Sequence, residues 1–102
     1  MGEFEHVMLL AVLRLRGNAY GMTIRRELQE RIDRDVSIGA VYTTLDRLRD
    51  KGYVSSRLGD PTPERGGRAK RYFTVEASGE AAVNRSRLVL DRMWDGLQEV
   101  GR

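Results

Sequence analysis

Apolar positions recur along the chain at helical spacing three times, at strand spacing twice, and at helical spacing once more. Residues 3–16, EFEHVMLLAVLRLR, predict a first helix ended by Gly17. Its run VMLLAVL is apolar almost all round, more than one face of a small domain buries, so part of it must pack against something other than its own core. After a turn, NAYG, residues 22–33 predict a second helix with Ile24, Leu28 and Ile32 inward and Arg25, Arg26, Glu27, Glu30 and Arg31 outward. Arg34 to Val36 lead into a third helix, which Ser37 caps at its start and Gly52 ends as the left-handed residue just past it. Val41, Leu45 and Leu48 give this helix one buried face, with Ile38 on the flank. Residues 53–58 and 72–75 are strand-prone, and the segment between them, GDPTPERGGRAK, gathers both prolines, so the pair reads as a hairpin with a long tip. From Glu76 to Val100 the helical period returns. Val83, Leu90 and Leu97 repeat every seven residues, Met93 and Val100 take the offset positions, and Val89 and Trp94 lie beside them.

This order of elements predicts an α+β, mostly α, fold: a winged helix-turn-helix of three helices plus a two-stranded wing, with a C-terminal dimerisation helix. Residues 1–75 would form the winged unit and residues 76–102 the dimerisation helix, packed as one compact body. On the third helix, Gly39, Ala40, Thr43 and Arg47 lie opposite the apolar stripe, with Thr44 at its edge. Small and hydrogen-bonding groups near a helix start suit an element that enters the major groove and meets base edges. Such a helix alone is an ordinary amphipathic surface helix; the basic hairpin after it makes the difference. Arg65, Arg68, Lys70 and Arg71 put four cations into seven residues of that hairpin's long tip and its exit, with no acid among them. Next to a helix-turn-helix they would reach the sugar-phosphate backbone or minor groove. The N-terminal amides of the second helix, near Tyr20, offer a further phosphate site.

Charge supports the same face. The net charge is only +3, but residues 37–72 hold eight basic and four acidic side chains, whereas the flanking thirds are close to neutral. The 102 residues suffice for one domain. Absence of cysteine excludes disulfides, thiolate metal sites and a cysteine nucleophile, and fits a cytoplasmic home. The apolar run of the first helix is too short for a membrane span and follows Glu3 and Glu5 rather than a basic segment. His6 occupies the position where a myristoylation signal has serine or threonine. It is the single histidine, with no metal-ligand spacing around it, so neither a metal, a cofactor nor an enzyme active site is expected. GGRAK lacks the spacing of a phosphate-binding loop and precedes a strand.

Three segments, NAYG, GAVYTTLDRLRDKGYV and GGRAKRYFTVEASG, are similar to those of the PadR family of bacterial winged helix-turn-helix regulators, and the likeness covers nearly the whole chain. The MarR and ArsR families are weaker matches. The resemblance implies a homodimeric repressor that binds a palindromic operator and is released by an effector. It implies that Tyr42 is the family's recognition-helix tyrosine, Gly67 and Arg68 the wing glycine and its basic neighbour, and Gly79 the glycine early in the last helix, as in the subgroup with a short C-terminal helix. Thr43 stands where many members have proline, and Glu76 where a threonine N-cap is common.

The candidate DNA contacts are therefore Tyr20, Ser37, Ala40, Tyr42, Thr43, Thr44 and Arg47, together with Arg65, Gly67, Arg68, Lys70 and Arg71 in the wing. The apolar surplus of the first helix and the long seam of the last both need cover, which a second copy supplies, through Val7, Leu10, Ala11, Val83, Leu90, Met93, Trp94 and Leu97. Trp94 is also the candidate residue for a small apolar or aromatic effector at the dimer centre. The expected partners are thus double-stranded DNA, a second copy and such an effector, with no membrane. A protein-interaction module that keeps the winged fold without binding DNA is the competing reading, and the wing cations argue against it.

Overall fold

The structure, a computed structural model, describes residues 1–59 and 69–100. In chain order it contains α1 (Glu3–Leu15), α2 (Gly21–Ile32), α3 (Ile38–Asp50), β1 (Val54–Leu58), β2 (Arg71–Val75) and α4 (Ala77–Trp94). Local chemistry sets the helix ends. α1 stops where Arg16 and Gly17 turn left-handed, at φ of 46° and 86°. The NAYG turn is held by Thr23, whose Oγ1 accepts from the Tyr20 backbone N–H at 2.9 Å and donates to the Asn18 carbonyl at 2.7 Å. Ser37 caps α3 by accepting from the Ala40 N–H at 3.0 Å. At the other end Gly52 has φ of 80°, Tyr53 N–H reaches the Leu48 carbonyl and Gly52 N–H the Arg49 carbonyl, both at 2.9 Å. This is a Schellman closure around the expected glycine.

β1 and β2 pair antiparallel, from Val54 opposite Val75 to Leu58 opposite Arg71. The two-residue alternation turns Val54, Phe73 and Val75 inward, against Met8, Leu9 and Val12 of α1, Ile24 and Leu28 of α2, and Val41, Leu45 and Leu48 of α3. Beyond β1, β2 has a second neighbour, since its Phe73 N–H donates to the Ala19 carbonyl at 2.8 Å. The three helices and the hairpin make the winged helix expected from the sequence. Ile32 departs from its expected inward position: it is the last residue of α2, where the core has ended, and is 45% exposed.

α4 starts without a side-chain cap from Glu76. Tertiary bonds hold it instead. The Ser55 hydroxyl donates to the Glu76 carboxylate at 2.8 Å, the Ser78 hydroxyl donates to the Gly52 carbonyl at 2.6 Å, and Glu76 N–H donates to the Tyr53 carbonyl at 2.8 Å. Gly79 lets the helix lie directly on the chain entering β1: a Cβ there would overlap the Tyr53 carbonyl oxygen and come within 2.9 Å of Val75 Cγ1. The helix is shorter than its heptad pattern predicts, ending at Trp94 instead of continuing to Val100. Asp95 leaves helical geometry with ψ of 127°, and Gly96 follows with φ of 82°, so Leu97 and Val100 lie beyond the helix. Among the described residues no helix is long and apolar enough to cross a membrane.

Candidate nucleic-acid interface

α3 divides cleanly into two faces. Val41, Thr44, Leu45 and Leu48 are buried, whereas Gly39, Thr43 and Arg47 are exposed and Ala40 is half-buried. Thr44 is thus misplaced among the candidate base contacts. It sits three residues after Val41 and four before Leu48, on the buried stripe, and only 4% of it is exposed. The exposed face is low at its start: a Cβ added to Gly39 would find no atom nearer than Ser37 Oγ at 3.9 Å. A groove wall can approach the backbone closely there. Ser37 is exposed at the tip, with its Oγ committed to the cap.

Tyr42 is half-buried at the border between the two faces, and the structure explains its place. Its ring is tilted against Phe73 at 6.5 Å between centroids and lies over Gly21, the first residue of α2. A Cβ on Gly21 would come within 2.6 Å of the Tyr42 hydroxyl oxygen. The glycine of NAYG thereby leaves room for the Tyr42 ring between α2 and α3, which brings the phenol to the N-terminus of α2, where backbone amides favour anions.

In the wing, Arg65, Gly67 and Arg68 lie outside the described residues. Lys70 is exposed, donates to the Tyr20 hydroxyl at 3.3 Å and stands 4.5 Å above the Tyr20 ring. Tyr20 in turn meets Tyr72 edge-on at 5.5 Å, and Arg57 stacks 4.8 Å from the Tyr72 ring. Tyr20, Lys70, Tyr72 and Arg57 form one basic and aromatic cluster that ties the start of α2 to the sheet. Sequence reasoning missed Arg57 and Tyr72. They are directly opposite in the strand register, a signal available only once the hairpin is aligned.

Arg71 corrects a second expectation, that of a cation facing outward. It is half-buried and turned toward α3, with Nη1 3.6 Å from Asp46 Oδ1, Nε donating to Ser56 Oγ at 3.3 Å, and its guanidinium 5.2 Å from the Phe73 ring. Asp46 also attracts Arg49, at 3.5 Å. By contrast, among the described residues neither Arg47 nor Lys70 has an acidic partner, and both are exposed. Two acids elsewhere hold cations of their own. Glu27 takes Arg31 at 2.6 Å and Arg14 at 3.3 Å, and Glu5, itself buried, takes Lys51 at 2.8 Å. The Arg31 hydrogen bond is the main reason the Glu27 carboxyl is held below the usual carboxylate range, with burial opposing it.

The expected pairing surface also needs revision. Ala11 and Val83 are 3% and 5% exposed and belong to the core of their own chain, since α4 crosses α1 at this level. Val7 is half-buried, and Leu10, Leu90, Met93, Trp94 and Leu97 are exposed, from 40% at Leu10 to 72% at Met93. His6 Nδ1 and Ser86 Oγ, 3.1 Å apart, fasten the two helices. Beside them runs an open groove of about 760 Å³ walled by Val7, Leu10, Tyr53, Ala82, Val89 and Leu90. Among the described residues no three His, Cys, Asp or Glu side chains are grouped to hold a metal ion.

Residues 9–85 match the family model described as "Transcriptional regulator PadR-like family". No curated protein matches the sequence. Solved structures do share its fold. A transcriptional regulator from Clostridium thermocellum superimposes with a TM-score of 0.75 at 16% identity, covering 96% of this chain and 92% of the other. A PadR family regulator from Eggerthella lenta gives 0.71 at 18% identity, covering 93% and 82%. Bacillus subtilis PadR, solved in complex with operator DNA, gives 0.69 at 18% identity, covering 86% of this chain and 48% of that longer one. With a winged helix, an exposed α3 face bearing Arg47, and a family match over most of its length, the chain belongs to the PadR-like family of transcriptional regulators.

Proposed function

We propose that the protein is a repressor that binds a palindromic operator as a homodimer and is released by a small apolar or aromatic effector. The observation that carries the DNA-binding part is the exposed face of α3, with Gly39, Thr43 and Arg47 in solvent and Ala40 half-buried; the cluster of Lys70, Tyr20, Tyr72 and Arg57 at the start of α2 and on the hairpin accompanies it. One supplies groups for base edges, the other cations for phosphates. Ser37, Tyr42 and the α2 amides would add backbone contacts, and Arg65, Gly67 and Arg68 would extend the wing along the duplex. Residues 1–75 act as the DNA-binding unit and α4 as the element that pairs two copies, in the cytoplasm and without catalysis.

Pairing follows from the exposed apolar residues. Val7 and Leu10 on α1, and Leu90, Met93, Trp94 and Leu97 at the far end of the chain, leave more apolar surface than a small monomer carries at rest. A two-fold axis through this region covers both sets and sets the two copies of α3 about one DNA turn apart, roughly 34 Å. Trp94, 47% exposed, would line a site between the copies. An apolar planar compound that stacks on it should quench its fluorescence, and a true effector should lower DNA affinity at the same concentrations.

An electrophoretic shift assay with the DNA upstream of its own gene, run beside random DNA, tests the central claim. Retention of a distinct fragment at concentrations where random DNA stays free is the expected result. Failure to bind either DNA at low salt would refute it and favour a protein-interaction role for the same fold.

A further inference from the structure

We infer that Asp46 is a specificity-setting residue that holds the wing cation Arg71 in reserve at the junction of α3 and β2. The inference rests on the DNA-binding reading above. Asp46 lies one residue from the exposed Arg47, on the flank of α3 that faces the wing. Its Oδ1 is shut off from solvent and makes no hydrogen bond. That oxygen instead stands between two guanidinium groups, Arg71 Nη1 at 3.6 Å and Arg49 Nη2 at 3.5 Å. Both distances exceed hydrogen-bonding range, so the attraction is electrostatic and loosely directed. Arg71 is anchored at Nε by Ser56, at 3.3 Å, and lies against Phe73, which leaves its Nη groups as the part free to change partner.

A carboxylate beside a surface that receives phosphates has two effects. Its single negative charge partly offsets the two cations, Arg71 and Arg49, in the free protein, and it repels any phosphate that comes near without displacing it. Charge placed this way discriminates by penalising poor fits. On loosely docked, non-specific DNA, Arg71 keeps its carboxylate and adds nothing to affinity. On a duplex seated fully between α3 and the wing, a phosphate reaches Arg71 and takes over from Asp46. Asp46 thereby widens the gap between specific and non-specific binding while lowering both affinities.

The test compares wild type, Asp46→Asn, Arg71→Ala and the double variant on an operator-containing fragment and on random DNA across a salt series. Asparagine keeps the size of the side chain and removes its charge. Asp46→Asn should bind random DNA about threefold to tenfold more tightly, with a log-log salt slope steeper by about one unit, and should lose specificity by a smaller factor, because operator affinity rises as well. In the Arg71→Ala background these gains should shrink to what release of Arg49 and loss of the carboxylate's own repulsion supply. An unchanged slope on random DNA would overturn the inference, and so would a steeper slope that survives removal of Arg71 undiminished. A readout without DNA separates this from failure of the DNA-binding reading: the Arg71 Nε–H resonance of the free protein should shift on Asp46→Asn, and its constancy would show that Asp46 does not hold Arg71.

Discussion

Replacing Gly79 with alanine isolates the contact that seats α4. In a free helix the change would stabilise by about 1 kcal/mol, because glycine is the poorer helix former. Here the new methyl would overlap the Tyr53 carbonyl oxygen and approach Val75 Cγ1 to 2.9 Å. The first of these neighbours is backbone and has no rotamer to adopt. That same carbonyl accepts from Glu76 N–H at 2.8 Å, at the point where α4 begins, so relieving the overlap also strains a bond that starts the helix. Overpacking costs about 1–3 kcal/mol and a weakened hydrogen bond about 1 kcal/mol, leaving a net loss of about 2 kcal/mol after the propensity gain. For a domain of this size that lowers the melting temperature by about 10 °C. The assay is thermal unfolding followed by circular dichroism at one fixed protein concentration, since any pairing makes the midpoint concentration-dependent. A variant that melts at or above the wild-type temperature would show that α4 does not bear on Tyr53, and the account of how the last helix is held would fail.

Four further outcomes are expected. Lys70→Ala should make the log-log salt dependence of DNA binding shallower by about one unit, measured by fluorescence anisotropy; an unchanged slope would remove Lys70 from the phosphate contacts. Arg47→Ala should cost about 1–3 kcal/mol on the operator and much less on random DNA, and equal losses on both would make it a phosphate contact instead. The wild type should scatter light as a dimer at micromolar concentration while Leu90→Glu or Met93→Glu shifts it to monomer; a stable wild-type monomer would refute the pairing. Glu27→Gln should destabilise the fold by under about 1 kcal/mol at neutral pH, because the pair with Arg31 is near the surface. Because Glu27 is depressed in the folded state, the stability it contributes is full above the ordinary glutamate value of about 4.3 and fades as pH falls through the depressed one, so the two proteins should converge in acid. A difference that persists undiminished well below that range would exclude the ion pair as its cause.

What could be read from the sequence was local, and what could not was paired at a distance. Ser37 and Gly52 announced both ends of α3 because a cap and a left-handed closure depend on a few adjacent residues. Thr44 was readable in the same way, since positions 41, 44 and 48 share one stripe, but its hydroxyl drew it to the polar side. Val83, Leu90 and Leu97 report a period and not an end, so the pattern overstates the length of α4; Asp95-Gly96 is the stop signal inside it. An apolar residue does not state which surface covers it: Ala11 and Val83 suit a partner as well as their own chain, and here α1 and α4 cover each other. Arg71 and Asp46 are 25 positions apart, and their pairing depends on how the hairpin leans on α3, which no local pattern encodes.

The bond from Phe73 N–H to the Ala19 carbonyl occupies the flank of β2 that β1 leaves open. Among the described residues β1 is therefore the one side of the sheet where a foreign strand could add. That side is five residues long, and it carries the charge of Arg57 and the exposed polar Ser55. Short length and charge are the features that discourage edge-to-edge growth. The open-ended route to fibres is narrowed at its source, leaving the exposed helical surfaces, whose contacts can close in pairs, as the wider route to self-association.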